Sequence, residues 1–270
     1  MLLSQLVAIK NSKKSLVTIA VMIGMVFLSQ INAWYTYFMN YSGRGFHGAP
    51  ADEMINPPTA AFLSANSSGD LFIILIVALP IFLILINAHL ALDQGPVTGH
   101  WTHYLRLGSL NRGLLRSECA NFGIFTAFFA ALFGFDFLIS IIIFHRGTDF
   151  LGLEVGASSS HLLNMEISHS YLAYSMFVIV VSAAFGLYAV VIYALVLLVK
   201  KAILAYTLSF GFWLLMIVMP HSMSYFMQPF IEYDWNDYLA SLLWFFGICF
   251  LVIVGCNLMI KFISRHYYFN

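Results

Sequence analysis

The stretch "YLAYSMFVIVVSAAFGLYAVVIYALVLLV", residues 171–199, contains no Asp, Glu, Lys or Arg. As a helix rising about 1.5 Å per residue, it is roughly 43 Å long, which exceeds a bilayer hydrocarbon core of about 30 Å. The run therefore predicts a membrane-spanning helix that either tilts or protrudes from the bilayer.

The rest of the chain has the same apolar character. Of its 270 residues, 61% are hydrophobic and only 9% are charged, so one soluble core cannot hide its apolar surface. Six runs reach the roughly 20 apolar residues that a spanning helix needs, or come within a residue of that length. We expect an all-α polytopic membrane protein, a single transmembrane domain over 1–270, with spans at 15–34, 71–92, 119–144, 171–199, 202–220 and 239–260.

The first 14 residues precede the first predicted span. Leu2, Leu3, Leu6 and Val7 fall near one helical stripe, and lysines gather at the end of the segment. This pattern favours an amphipathic interfacial helix, and the alternative is a frayed start. The span that follows is longer than the apolar core of a signal peptide, so we expect it to remain as a helix.

The distribution of Lys and Arg predicts the orientation, because cytoplasmic loops carry an excess of these residues. With the N-terminus inside, most basic residues also lie inside, so both termini are predicted to be cytoplasmic. The inside set is Lys10, Lys13, Lys14, Arg106, Arg112, Arg116, Lys200, Lys201, Lys261 and Arg265, against Arg44 and Arg146 outside. No long basic tail points to nucleic acid.

The largest predicted inner loop ends in "GHWTHYLRLGSLNRGLLRSE", residues 99–118. Trp101, Leu105 and Gly108 fall on one helical stripe, with Arg106 beside them. One interpretation is a short amphipathic helix to which another protein binds. The other is an ordinary positive-inside loop whose aromatic residue anchors at lipid headgroups.

Several features together resemble the type-2 ABC exporter permease family. They are six spans with both ends inside, an amphipathic N-terminal segment, a basic loop after span two and a two-residue turn after span four. In that family the basic loop carries a Gly, a Leu-rich stretch, a small residue or Pro, an Arg, an apolar pair and a Gly-Lys. With a one-residue slip, the order is matched here by Gly99, Leu105, Gly108, Arg112 and Leu114-Leu115, whereas Ser117-Glu118 replaces Gly-Lys.

The resemblance implies a permease subunit of an ATP-driven exporter, itself no enzyme, in a bacterial inner membrane. This chain would hold no cofactor, and it contains no G-x-x-x-x-G-K-[ST] phosphate loop. Two ATP-binding cassette subunits would bind ATP and Mg, and a second permease copy, identical or related, would complete the pathway for a hydrophobic or amphipathic cargo. Residues 93–118 would form the coupling loop, with Trp101, Leu105, Arg106, Arg112, Leu114 and Arg116 facing the ATPase.

Asp136 is the only acid deep in a predicted span, roughly 12 Å from the outer end of span three. Ionisable residues at such depth usually face the bundle interior or a water-filled cavity, so Asp136 is the preferred pathway candidate. The alternative is a structural hydrogen bond to a neighbouring helix. His89 and Pro80 in span two are further pathway candidates, Pro80 because it can kink the helix and open a cavity.

The predicted outer side accumulates residues that could bind a metal. Imidazoles with a carboxylate suit zinc or copper, and thioethers favour copper(I). One alternative function is therefore a metal-binding or redox subunit. A second alternative is a membrane scaffold that transports nothing. The plainer interpretation of these residues is that they are polar side chains at the membrane interface. The set comprises His145, His161, His169, His221, Glu166, Met165, Met223 and Met227.

Overall fold

A computed structural model describes residues 2–34, 110–145, 160–199, 201–227 and 233–268. Every regular element in these ranges is an α-helix, which agrees with the all-α prediction. In chain order the helices are α1 (Leu2–Asn11), α2 (Lys13–Trp34), α3 (Leu110–Phe144), α4 (His161–Ser168), α5 (Ser170–Val199), α6 (Ala202–Val218), α7 (Ser224–Met227) and α8 (Trp235–Tyr268).

Four of the described helices, α2, α3, α5 and α8, are long and apolar enough to cross a membrane. Many of their large apolar side chains point outward, such as Ile179 at 68% and Leu243 at 70% exposure. A soluble monomer rarely exposes apolar surface on this scale, whereas a lipid-facing surface requires it. The chain is a membrane protein. The predicted span at 71–92 lies outside the described residues.

Helix α5 is the centre of the bundle, and most of its side chains are buried. It runs antiparallel to α3, because Tyr174 meets Phe137 while Phe185, further along α5, meets Phe129, which comes earlier in α3. Aromatic rings therefore fill the α3–α5 interface. About one and two turns before Phe129, α3 also supplies Thr126 and Phe122 to the surroundings of Gly186.

Helices α6 and α8 pack on the remaining sides of α5. The turn after α5 folds α6 back against it, so that Tyr188 and Phe212 stack with ring centroids 6.0 Å apart. Tyr188 also donates a hydrogen bond to the backbone oxygen of Ser209. Helix α8 meets the start of α5 through Phe177 and Tyr238, 5.5 Å between ring centroids.

Several helix ends differ from the predicted span limits, and two of the differences have a cause that can be read from the sequence. Helix α6 ends at Val218 rather than at residue 220, because Met219 precedes Pro220 and adopts an extended conformation, φ −62° and ψ 154°. Helix α3 begins at Leu110, so residues 110–118, predicted as the end of a loop, form the first turns of the spanning helix. Because residues 110–118 include polar and charged side chains, a search for apolar runs does not detect this part of the helix. Helix α1 confirms the predicted N-terminal helix, and its interfacial position stays a prediction.

Candidate functional site

Helix α3 buries two carboxyl side chains on one face. Glu118 is 7% exposed and Asp136 is 4% exposed. Their separation of 18 positions corresponds to five turns, or about 27 Å, of an α-helix with 3.6 residues per turn. The two carboxyls therefore lie on the same stripe of α3, near opposite ends of its apolar run.

Asp136 is bound by a side chain from the first spanning helix. The amide nitrogen Nε2 of Gln30 donates to Asp136 Oδ1 at 2.8 Å and to Ser140 Oγ at 2.8 Å. Asp136 and Ser140 are one turn apart on α3, so a single glutamine reaches both. All three residues are buried. We call this set the outer polar cluster, after the outer end of span three to which the sequence assigns Asp136.

Aromatic contacts join the same helices at residues next to the outer polar cluster in sequence. Phe27 of α2 packs edge-to-face on Phe135 of α3, with 5.6 Å between ring centroids. Tyr174 of α5 stacks on Phe137 at 4.4 Å, and its hydroxyl donates to the backbone oxygen of Phe133 at 2.9 Å. Gln30, Asp136 and Ser140 are buried between these helices, where a polar group without a partner is costly.

The hydrogen bonds within the outer polar cluster leave the Gln30 carbonyl oxygen without a donor in the described part of the chain. Both amide hydrogens of Gln30 are used, whereas its carbonyl oxygen Oε1 is buried and has no donor among the described residues. A glutamine amide has two donor hydrogens and an acceptor oxygen. The cluster can therefore receive a further hydrogen-bond donor.

Glu118 has a different environment at the other end of the stripe. The amide nitrogen Nδ2 of Asn257, on α8, donates to Glu118 Oε1 at 2.7 Å. Lys261 lies one turn further along α8 and attracts the Glu118 carboxylate electrostatically. We call Glu118, Asn257 and Lys261 the inner polar cluster. It places a cation near the carboxylate.

The structure describes only part of the predicted coupling surface. Arg112 and Arg116 are exposed and one turn apart at the start of α3, so both guanidinium groups are available to a partner. Leu114 is 5% exposed and packs into the core, whereas Leu115 is 62% exposed. Trp101, Leu105 and Arg106 of the coupling prediction, and His89 and Pro80 of the pathway prediction, lie outside the described residues.

The histidines predicted on the outer side have separate local contacts. His145 Nδ1 lies 3.2 Å from the backbone oxygen of Ile142, and His221 stacks on Trp244 at 5.9 Å. Glu166 is buried at 1% exposure, whereas His169 is exposed. Within the described ranges, no three His, Cys, Asp or Glu side chains converge as metal ligands would.

Sequence reasoning finds Asp136 but misses Glu118 as a buried carboxyl and misses both amide partners. Asn257 is a strongly polar residue inside the apolar run of α8, whereas Gln30 is one of several polar residues near the end of α2. In a membrane segment a polar residue usually hydrogen-bonds across a helix interface, so Asn257 was a detectable signal. The identity of each amide's partner, 106 residues away for Gln30 and 139 for Asn257, depends on the packing of the bundle.

The fold and the two clusters define an all-helical membrane protein with polar contacts between its spanning helices. No family model matches the chain, and no solved structure matches it. Over 208 residues the chain is 28% identical to the Uncharacterized protein YybM of Bacillus subtilis (strain 168). The similarity covers 74% of this chain and 80% of that protein.

Proposed function

We propose that the chain is the permease subunit of an ATP-driven exporter of the ABC class, which moves a hydrophobic or amphipathic cargo out through a bacterial inner membrane. In this proposal both termini are cytoplasmic and the permease acts as a pair. Two separate ATP-binding cassette subunits hold ATP and Mg and hydrolyse the nucleotide. The resemblance in topology and in the basic loop supplies the class.

The observation that carries the proposal is the continuity of α3. One uninterrupted helix of 35 residues joins exposed Arg112 and Arg116 to buried Asp136. The 24 positions from Arg112 to Asp136 correspond to roughly 36 Å of helix. A helix is a stiff element, so displacement at its basic end is transmitted to the buried carboxyl, as a rigid-body transport cycle requires.

The charges of α3 also suit this division of work. Arg112 and Arg116 are exposed at the predicted cytoplasmic end, where an acidic groove of an ATPase can bind them. Asp136 lies inside the bundle, where ionisable residues commonly mark a transport path. The proposal therefore assigns docking to one end of α3 and cargo passage to the other.

Co-purification of the full chain with an ATPase tests the proposal directly. The chain is expressed with the product of any neighbouring gene that encodes a G-x-x-x-x-G-K-[ST] phosphate loop, and the purified complex is assayed for ATP hydrolysis in lipid nanodiscs. The double variant Arg112→Ala/Arg116→Ala should weaken ATPase retention about tenfold, since the loss of two exposed charge contacts is worth roughly 1–2 kcal/mol. Insertion should persist because neither side chain is buried.

Lys201→Ala is the matched control, because Lys201 is an exposed basic residue on the same predicted side but in the turn before α6. It should retain the ATPase as the unchanged chain does. If the double arginine variant retained the ATPase as well as the unchanged chain does, the proposed docking role of α3 would be refuted. Failure of the unchanged chain to hold any ATP-hydrolysing subunit would remove the exporter assignment itself.

A further inference from the structure

The outer polar cluster has more acceptors than donors. Its oxygen acceptors are the Asp136 carboxyl, Gln30 Oε1 and Ser140 Oγ, and the two hydrogens of Gln30 Nε2 supply Asp136 Oδ1 and Ser140 Oγ. Gln30 Oε1 is buried and has no donor among the described residues. A buried acceptor without a donor is unfavourable, so a carboxylate with an amide leaves the hydrogen bonding of the cluster incomplete.

The described parts of α2, α3 and α5 place no Lys, Arg or His side chain close to Asp136. Helix α5 contains no Lys, Arg or His, and the titratable group that it places near Asp136 is the Tyr174 hydroxyl. The lysines of α2, Lys13 and Lys14, lie at the end remote from Gln30. On α3 itself, Arg116 is 20 positions away, and the nearest imidazole, at His145, is exposed.

We propose that the outer polar cluster is a proton-binding site, in which Asp136 is a neutral acid whose hydroxyl donates to Gln30 Oε1. The Gln30 amide then donates to one carboxyl oxygen and accepts from the other, the reciprocal pairing of a primary amide with a carboxylic acid. The step is simple protonation: the carboxylate takes one proton from water and forms one O–H bond. The added hydrogen gives Gln30 Oε1 its donor.

A proton fits this site better than a larger guest does. Asp136 is 4% exposed, and the residues on either side of it, Phe135 and Phe137, form aromatic pairs with α2 and α5. A carboxylate buried without a cation is strongly unfavourable, and protonation removes that cost without requiring space.

The inner polar cluster differs in its charge environment. Glu118 also accepts from an amide, that of Asn257, and Asn257 Oδ1 is likewise buried without a donor among the described residues, but Lys261 of the same helix attracts the Glu118 carboxylate. One helix thus presents two amide-bound carboxyls, one near an ammonium group and the other, in this proposal, neutralised by a proton. Because Gln30 belongs to α2, separation of α2 from α3 would break the reciprocal pair and admit water to Asp136, and the carboxyl would then pass its proton to that water. This site is not required by ATP-driven export and extends the proposed function.

Infrared difference spectroscopy of the full chain in lipid nanodiscs at neutral pH tests the proposal. A protonated carboxyl has a C=O stretch that shifts in D2O, whereas a carboxylate shows a different pair of bands. The difference between the unchanged chain and Asp136→Asn should show the loss of one carboxylic acid band per chain. Glu118→Gln is the matched control and should remove carboxylate bands only.

Gln30→Leu provides a second measurement that leaves Asp136 in place. Removal of the amide should shift the frequency of the acid band rather than abolish it, because the C=O loses a hydrogen bond. Loss of carboxylate bands alone in Asp136→Asn would overturn the proposal. Where Asp136→Asn does not fold, an unshifted acid band in folded Gln30→Leu would overturn it. None of these spectra requires an ATPase, so they fail or succeed independently of the exporter assignment.

Discussion

Gly186 marks the closest approach of α5 to α3, and its replacement by Ala tests how tightly the two helices are joined. A Cβ at this position would overlap Thr126 Oγ1 and would lie 2.9 Å from the backbone oxygen of Phe122. The Thr126 side chain can rotate, but the Phe122 oxygen is part of the α3 backbone. Relief of the second contact therefore requires the helices to separate.

The cost of Gly186→Ala follows from that separation. Ordinary carbon contacts have an optimum near 3.5–4.0 Å, so the helices must move apart by roughly half an ångström or more. Overpacking of this kind costs about 1–3 kcal/mol, and a gap of this size also weakens neighbouring contacts. Among these contacts is the Phe129–Phe185 pair, now 4.3 Å between centroids.

Gly123→Ala is the matched control for this prediction. Gly123 is also a helical glycine in the α3–α5 pair of spans, but it is exposed, and a Cβ there meets nothing within 4 Å. Both changes replace glycine by alanine within a helix, and the propensity gain of up to about 1 kcal/mol cancels in their comparison. The difference between the two variants then measures packing alone.

The assay is reversible unfolding of the chain in micelles, with the free energy of unfolding measured for each variant. Gly186→Ala should be less stable than Gly123→Ala by about 1–3 kcal/mol. The double variant Gly186→Ala/Thr126→Ala should recover part of that loss, because one of the two clashes is removed. Equal stability of the two single variants would refute the close α3–α5 contact.

Three further changes test other parts of the bundle by the same unfolding assay or by amide exchange. Tyr188→Phe removes the hydrogen bond to the Ser209 backbone oxygen and should cost about 1 kcal/mol; an unchanged free energy of unfolding would count against that bond. Trp213 is fully buried with its ring 4.5 Å from that of Tyr188, so Trp213→Ala should cost about 3–5 kcal/mol; a loss below 1 kcal/mol would contradict this packing. Ser160 caps α4 and donates to the Tyr233 backbone oxygen at 2.8 Å, so Ser160→Ala should speed amide exchange in α4; unaltered exchange would argue against the cap.

The positions of the described spans could be predicted from hydropathy, because a bilayer demands long apolar helices. The ends could not be predicted equally well. Residues 110–118 contain Arg and Glu, so they lack an apolar signal, although their backbone continues the helix. At the other boundary the signal was present, since Pro220 constrains Met219 to an extended conformation and stops α6.

The candidate site shows a similar division. Asp136 stands out from the sequence because an acid deep in an apolar run is expensive and therefore informative. Its partner Gln30 does not stand out, because Gln30 is one of several polar residues near the end of α2. Only the packing of α2 on α3 brings Gln30 Nε2 within 2.8 Å of Asp136 Oδ1. Likewise Leu114 and Leu115 are equivalent in sequence, and the bundle decides that the first is buried.

In the proposed transport cycle, the contacts of α3 indicate which helices move together. Helix α3 is joined to α5 by aromatic pairs and by the close approach at Gly186, so the two should move as one body. Helix α2 has a largely exposed apolar surface, although it buries Met22 and Val26 in the core, and Gln30 makes its hydrogen bonds to α3. We therefore expect the α2–α3 interface, rather than the α3–α5 interface, to open. Because the proposed proton is shared between Gln30 and Asp136 across the α2–α3 interface, its opening would admit water to Asp136 and let the proton leave.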